Sequence, residues 1–232
     1  LRLKELSRLV DPERFTDEAF VDRAVQSGIN RLLAMQTYEG GLTFWPGGGG
    51  PAYPYGSVYA AQCLLEAEAA GYTVPPGCRD ALLGYLRKRV VDVADSRTVD
   101  RELQAYGCAV LALAGDPPLG VVQRLLRTPE ADRGVVRANL ARALARAGKR
   151  AEAIAVLGPE LPAVARPAGA AGPMISETGE TAIALDAYLE VDPESPAVPV
   201  LVQRLNDSMR DERWPTTHDN ALALLALGKY AQ

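Results

Sequence analysis

One histidine, three cysteines and three methionines in 232 residues leave little material for metal or nucleophilic chemistry. His218 stands alone, so a multi-histidine zinc site is excluded, and a Ser-His-Asp triad has only that ring to be built around. Cys63, Cys78 and Cys108 are odd in number and widely spaced, which suits neither a disulfide framework nor a Cys-x-x-Cys metal knuckle. Cys63 and Cys108 fall within apolar runs and are expected to be small buried hydrophobes; Cys78, between Gly77 and Arg79, is expected to be more exposed. No G-x-S-x-G, P-loop or G-x-G-x-x-G string occurs, so no cofactor and no metal are expected. Long hydrophobic runs are missing too, and with a mean hydropathy of -0.05 no segment reads as a membrane span. Neither charge sign dominates: 25 basic against 29 acidic residues give a net charge of -4, without the basic stripe that a nucleic acid requires. The chain opens at Leu1 without a Met or a secretory leader, and reads as a piece of a longer protein.

Aromatic residues are only 6% of the chain, whereas Ala and Leu together number 67. That composition packs helices closely and makes poor strands, so the expected class is all-α. Thr16 before Asp17 and Glu18, and Thr128 before Pro129 and Glu130, read as helix caps with acid at the positive helix end. Periodicity predicts helices over 17–36, 56–70, 78–91, 99–114, 118–126, 130–147, 150–157, 178–190, 195–208 and 218–231. Some are apolar almost all round, as in VYAAQCLLEAEAA (58–70), LQAYGCAVLALA (103–114), TAIALDAYL (181–189) and NALALLALGKYA (220–231), the pattern of helices surrounded by helices. Between them run amphipathic segments such as RDALLGYLRKRV (79–90), with Leu82, Leu83, Leu86 and Val90 on one side and Arg87, Lys88 and Arg89 on the other. With 135–147 as a more polar member, five inner helices recur at about 40 residues, which predicts an array of hairpins with inner and outer layers.

Loops leading into the inner helices are rich in glycine and carry both tryptophans. GGLTFWPGGGGPAYPYG (40–56) and RWPTTHDN (213–220) each set a Trp-Pro pair ahead of an inner helix, and AGAAGPMISETGE (168–180) is a third Gly-rich approach. Trp45 and Trp214 are expected to plug the ends of the inner layer. The competing reading is a contact surface at that pole, gathering Trp45, Tyr53, Tyr55, Glu177, Glu180, Trp214 and His218, with Tyr59 and Asp219 nearby.

The run AVQSGINRLLAMQTYEGGLTFWPGGGGPAYPYGSVYAAQCLLEAEAAGYTVP (24–75), together with WPTTHDNALALLALGKYA (214–231), resembles the thioester-containing domain of bacterial alpha-2-macroglobulins and their complement relatives. The resemblance is weak over 92–175. It implies an α/α toroid of six helical hairpins in a protease-trapping inhibitor, where a Cys-x-Glu-Gln motif on the first inner helix forms the thioester that captures the protease. Cys63, Cys78 and Cys108 are followed three residues on by Glu66, Ala81 and Leu111, so no such motif exists in this chain and no catalytic residue is assigned. Five inner helices are readable where the toroid has six, and LRLKELSRL (1–9) reads as the last turns of a helix. The fold expected is therefore an α/α toroid incomplete at its N-terminus, filling 1–232 as one domain whose thioester segment lies upstream or is lacking. His218 occupies a position where bacterial members read Gln, and is taken as a substituted cap residue rather than a base.

By the same resemblance, the expected partners are the other domains of the same chain and, through the intact protein, target proteases. The expected location is extracytoplasmic, in a bacterial periplasm or at the cell surface, without direct membrane insertion. Two rivals remain. A toroid-fold enzyme is one: a glycosidase would use a carboxylate pair drawn from Glu102, Glu177 and Glu180, whereas terpene cyclase chemistry wants an acidic cluster that Asp92-Val93-Ala94-Asp95 does not supply. A helical-repeat scaffold is the other, because LARALARAGKRAEAIAVL (140–157) resembles a single tetratricopeptide pair.

Overall fold

Ten α-helices alternate between two layers in a computed structural model that describes residues 18–47, 50–93, 100–159 and 175–231. They are α1 (Glu18–Leu33), α2 (Pro54–Ala69), α3 (Pro76–Leu86), α4 (Arg101–Leu113), α5 (Leu119–Leu125), α6 (Gly134–Arg146), α7 (Arg150–Leu157), α8 (Glu177–Val191), α9 (Ala197–Ser208) and α10 (Thr217–Tyr230). No strand occurs among the described residues, only the isolated bridges Gln36–Leu42 and Arg210–Arg213. The Thr16 cap, the 1–9 segment, Asp95 and most of the 168–180 loop lie outside the described residues.

The even-numbered helices form the inner layer of an α/α toroid. Packing runs from α2 to α4, α6, α8 and α10 in chain order, and the odd-numbered helices lie outside. Small residues let the inner helices approach closely: Ala105, Ala138, Ala141, Ala143 and Ala187 are fully buried. Leu140, Leu144 and Leu185 fill the space between them. Outer helices bury a single stripe, as Val198, Leu201 and Leu205 of α9 show.

Two local features depart from regular helix, each with a physical cause. The last turn of α3 widens into a π-helical turn over Arg87–Val91, and the buried Gln104 donates to the Val91 carbonyl at 2.7 Å. α4 approaches this turn so closely that a Cβ on Gly107 would sit 2.9 Å from Val91. The predicted 130–147 helix is instead divided into a 3-10 turn, Pro129–Asp132, and α6. Arg133 is extended (ψ 132) and breaks the run, and Thr128 does not cap; its hydroxyl donates back to the Leu125 carbonyl at 2.8 Å.

The double glycine ahead of Trp45 has a steric basis. Gly40 adopts φ 93, and a Cβ there would lie 2.1 Å from the Ala81 carbonyl oxygen. This brings the loop against α3, and Ser57 then accepts from the Leu42 amide at 2.9 Å and donates to the Tyr53 carbonyl at 2.8 Å. The loop is thereby fastened to the start of α2.

An aromatic pole and a buried charge cluster

The loop before α2 and the start of α10 meet at one pole of the ring. Tyr55 Oη and His218 Nε2 share a hydrogen bond at 3.2 Å, and the Tyr59 ring meets the imidazole edge-on with centroids 5.1 Å apart. From Tyr55 the aromatic contacts continue to Tyr53, then Phe44, then Trp45, at centroid separations of 6.5, 5.4 and 5.1 Å. Tyr106 of α4 closes on Tyr55 from inside at 6.2 Å, its hydroxyl donating to Gln62 at 2.6 Å. Burial pushes the Tyr55, Tyr59 and Tyr106 phenols above the ordinary tyrosine value, and neighbouring phenols and the Cys63 thiol add to the effect. All three stay neutral at any physiological pH, so the pole is aromatic and weakly polar.

The two tryptophans do different things. Trp214 is buried, and its Nε1 donates to the Leu205 carbonyl at 2.9 Å, pinning the α9–α10 connection. Trp45 is 70% exposed and plugs nothing: its loop holds it above the α2 start, against Phe44. Glu177 and Glu180 lie in the first turn of α8, where Ser176 caps by accepting from the Gly179 amide at 3.1 Å. The Ser176 hydroxyl also donates to Asp219, which accepts from Thr216 at 2.9 Å, so α8 and α10 are joined at their N-termini. Tyr53, Tyr55, His218 and Trp45 therefore come together, whereas Trp214 is turned into the core and Glu177 is exposed at the neighbouring helix.

Phe44 and Tyr106, the links that make the aromatic contacts continuous, escaped the sequence reading. A larger omission is the cluster of charge inside the ring. Arg142 and Arg146 of α6, Asp186 and Glu190 of α8, and Lys229 of α10 form one network. Arg142 meets Asp186 at 2.7 Å and Glu190 at 3.1 Å; Arg146 meets Glu190 at 2.5 Å and also donates to the Ala109 carbonyl at 2.7 Å. Lys229 pairs with the other Asp186 oxygen. The one available signal was a charge set within otherwise apolar helices, as Asp186 is in TAIALDAYL.

Little here favours acid–base work. Glu102 is held by Arg133 at 2.9 Å, and no cluster of metal-ligating side chains occurs among the described residues. Of the cysteines, Cys108 is buried, with its thiol pushed up to about 12 by burial, whereas Cys63, expected inside, is exposed. Cys63 lies on the wall of a groove of about 580 Å³ between α1, α2 and α10, where no further inner helix covers α2 among the described residues.

The same arrangement of helices occurs in solved macroglobulins. A point mutant of Salmonella alpha-2-macroglobulin matches 91% of this chain with a TM-score of 0.75 at 26% identity. The Escherichia coli protein activated by porcine elastase matches 90% with a TM-score of 0.74 at 25% identity. In sequence, Escherichia coli alpha-2-macroglobulin (strain K12) is 31% identical over 110 residues, 44% of this chain. The chain is a domain of the alpha-2-macroglobulin family. No protein-family model matches it. It spans 7% of the curated macroglobulin's length, and 20% and 14% of the solved Escherichia coli and Salmonella chains. Within this macroglobulin domain, no described helix is long and apolar enough to cross a membrane.

Proposed function

We propose that these 232 residues form one toroid domain of a protease-trapping macroglobulin, acting as scaffold and docking surface rather than as a catalyst. The observation that carries this reading is the succession of five inner helices, α2 to α10, on the architecture shared with the Salmonella protein over 91% of the chain. Among the solved relatives are Escherichia coli alpha-2-macroglobulin activated by porcine elastase and Salmonella alpha-2-macroglobulin reacted with methylamine, which supports a proteinase-responsive parent for this domain too. Covalent capture, where the parent performs it, belongs to a thioester outside this chain, since no cysteine here has Gln three residues on. The aromatic pole around Tyr55, His218 and Trp45 is the surface offered to neighbouring domains of the same chain, and the setting is extracytoplasmic.

The test uses the protein encoded by the whole gene, incubated with elastase. A trap leaves the protease active on a small peptide substrate while closing it to a large protein substrate. Equal retention or equal loss of both activities would refute the reading.

A further inference from the structure

The buried charge cluster borders a small cavity of about 20 Å³ to which all five inner helices contribute. Its walls include Tyr55 of α2, Tyr106 of α4, Asn139 and Arg142 of α6, Asp186 of α8 and Leu225 of α10. Helices about 10–12 Å across, set around a common axis, cannot all meet on it, so a gap is left at the centre. Asn139 is 1% exposed. Its Nδ2 donates to the Val135 carbonyl one turn earlier at 3.1 Å, while its Oδ1, shut off from solvent, accepts from no donor among the described residues. Exchanging the two amide atoms would set oxygen against the Val135 oxygen, acceptor against acceptor, so the hydrogen-bond pattern fixes the orientation.

Arg142 brings the complementary group to the same cavity. Its Nε donates to Glu190 at 3.1 Å, whereas its Nη2 lies 2.7 Å from Asp186 without an aligned hydrogen bond and keeps an N–H to give. The Tyr106 hydroxyl donates to Gln62 at 2.6 Å, and its oxygen retains lone pairs for a further donor. Around one gap stand an unmet acceptor, an available donor and a second acceptor, which asks for a group able both to donate and to accept. An anion would answer Arg142 but give nothing to Asn139, and a cation would be set against Arg142. A dry gap would leave the buried amide oxygen unmet, which is unfavourable. Water satisfies both. One molecule needs about 10–15 Å³ of such space, and buried waters typically make about three hydrogen bonds. We infer that the ring holds a single bound water on its axis, donating to Asn139 Oδ1 and accepting from Arg142 Nη2, with its second hydrogen directed to Tyr106 or Asp186. The site ties α6 to the facing inner helices through the solvent molecule, independently of protease trapping.

Two measurements test the site. Crystals of the full chain grown with bromide in place of chloride should show one solvent peak in the cavity, within about 3.2 Å of Asn139 Oδ1 and Arg142 Nη2, and no anomalous bromine signal there. In solution, oxygen-17 magnetic relaxation dispersion counts long-lived waters. Asn139→Leu sets methyl groups where the amide stood and should lose one such water relative to the parent, whereas Asn206→Leu, at an exposed position of α9, should lose none. Ala182→Val narrows the same cavity from α8 while keeping the amide; it should lose the same water, and it serves if circular dichroism shows Asn139→Leu unfolded. An empty cavity, a bromine peak, a solvent peak out of reach of Asn139, or an unchanged water count in the folded cavity variant would each overturn the assignment. Such results would leave the elastase experiment unaffected.

Discussion

Arg142 and Asp186 meet at 2.7 Å in the middle of the inner layer, with 3% and 6% of their side chains exposed. Removing two charges from water costs several kcal/mol each, so the pair stands because Glu190, Arg146 and Lys229 complete its contacts. Deleting one partner leaves the others buried without their counter-charge. Asp186→Ala should therefore destabilise the fold by about 3–5 kcal/mol, read as a fall in the urea midpoint at unchanged slope. A loss under about 1 kcal/mol would mean that the ring relaxes to hydrate Arg142.

Acid should expose the same group. Burial alone would raise the Asp186 carboxyl, but Arg142, Lys229 and Arg146 outweigh it and leave the carboxyl below the usual aspartate value. A folded value below the unfolded one gives stability that is complete above the unfolded pKa of about 3.9 and is lost as pH falls towards the folded value. Unfolding followed from about pH 5 down to pH 2 should thus show stability falling with acid, and Asp186→Asn should flatten that limb. An unchanged limb in the variant would assign acid sensitivity to other carboxylates.

The layers could be read from the sequence because helix type follows from how many sides of a helix are apolar. The predicted 103–114 and 181–189 runs are the inner helices α4 and α8. The 130–147 division was not readable: Pro129 starts a helical turn whether or not Arg133 carries it on, and the extended Arg133 backbone is set by tertiary packing. Cys63 misled for a related reason. It sits in an apolar helix, but burial depends on a neighbour, and α2 lacks one on that side among the described residues. At the site, Tyr55 and His218 are 163 residues apart, and only the ring's curvature brings α10 back to α2.

Truncations should separate the layers. Leu185→Ala, at a fully buried position of α8, should cost about 2–5 kcal/mol through the cavity it leaves. Lys88→Ala, on the exposed side of the π turn, should cost under about 0.5 kcal/mol. Leu225→Ala, half-buried on the groove, should fall between them in thermal or urea unfolding, and a cost equal to that of Leu185→Ala would show the groove filled in solution.

Methylamine should release no thiol from this chain. Thioester aminolysis frees a cysteine that was bonded to a glutamine carbonyl, and Cys63, Cys78 and Cys108 are all free already, none with the required Gln. Thiol titration before and after treatment, in denaturant, should give the same count. An additional thiol equivalent would overturn the assignment of covalent capture to a segment outside these residues.

The tryptophans give a final contrast, since the same residue type precedes an inner helix twice with opposite burial. Trp214 fills the core and donates to the Leu205 carbonyl, so Trp214→Ala removes a large buried ring together with one of that carbonyl's two side-chain donors, Ser208 being the other. The expected loss is about 3–5 kcal/mol. Trp214→Phe keeps most of the volume and loses the N–H, and about 0.5–1.5 kcal/mol should remain as the cost of the lost hydrogen bond and the smaller ring, since Ser208 still donates to the carbonyl. Trp45→Ala removes an exposed ring that touches Phe44, and stability should change by no more than about 0.5 kcal/mol. If Trp45 instead serves the contact with a neighbouring domain, its variant should be silent in this chain and destabilising in the full-length protein. Calorimetry of both lengths reads that difference directly, and a Trp45→Ala effect equal at both lengths would remove Trp45 from the contact surface.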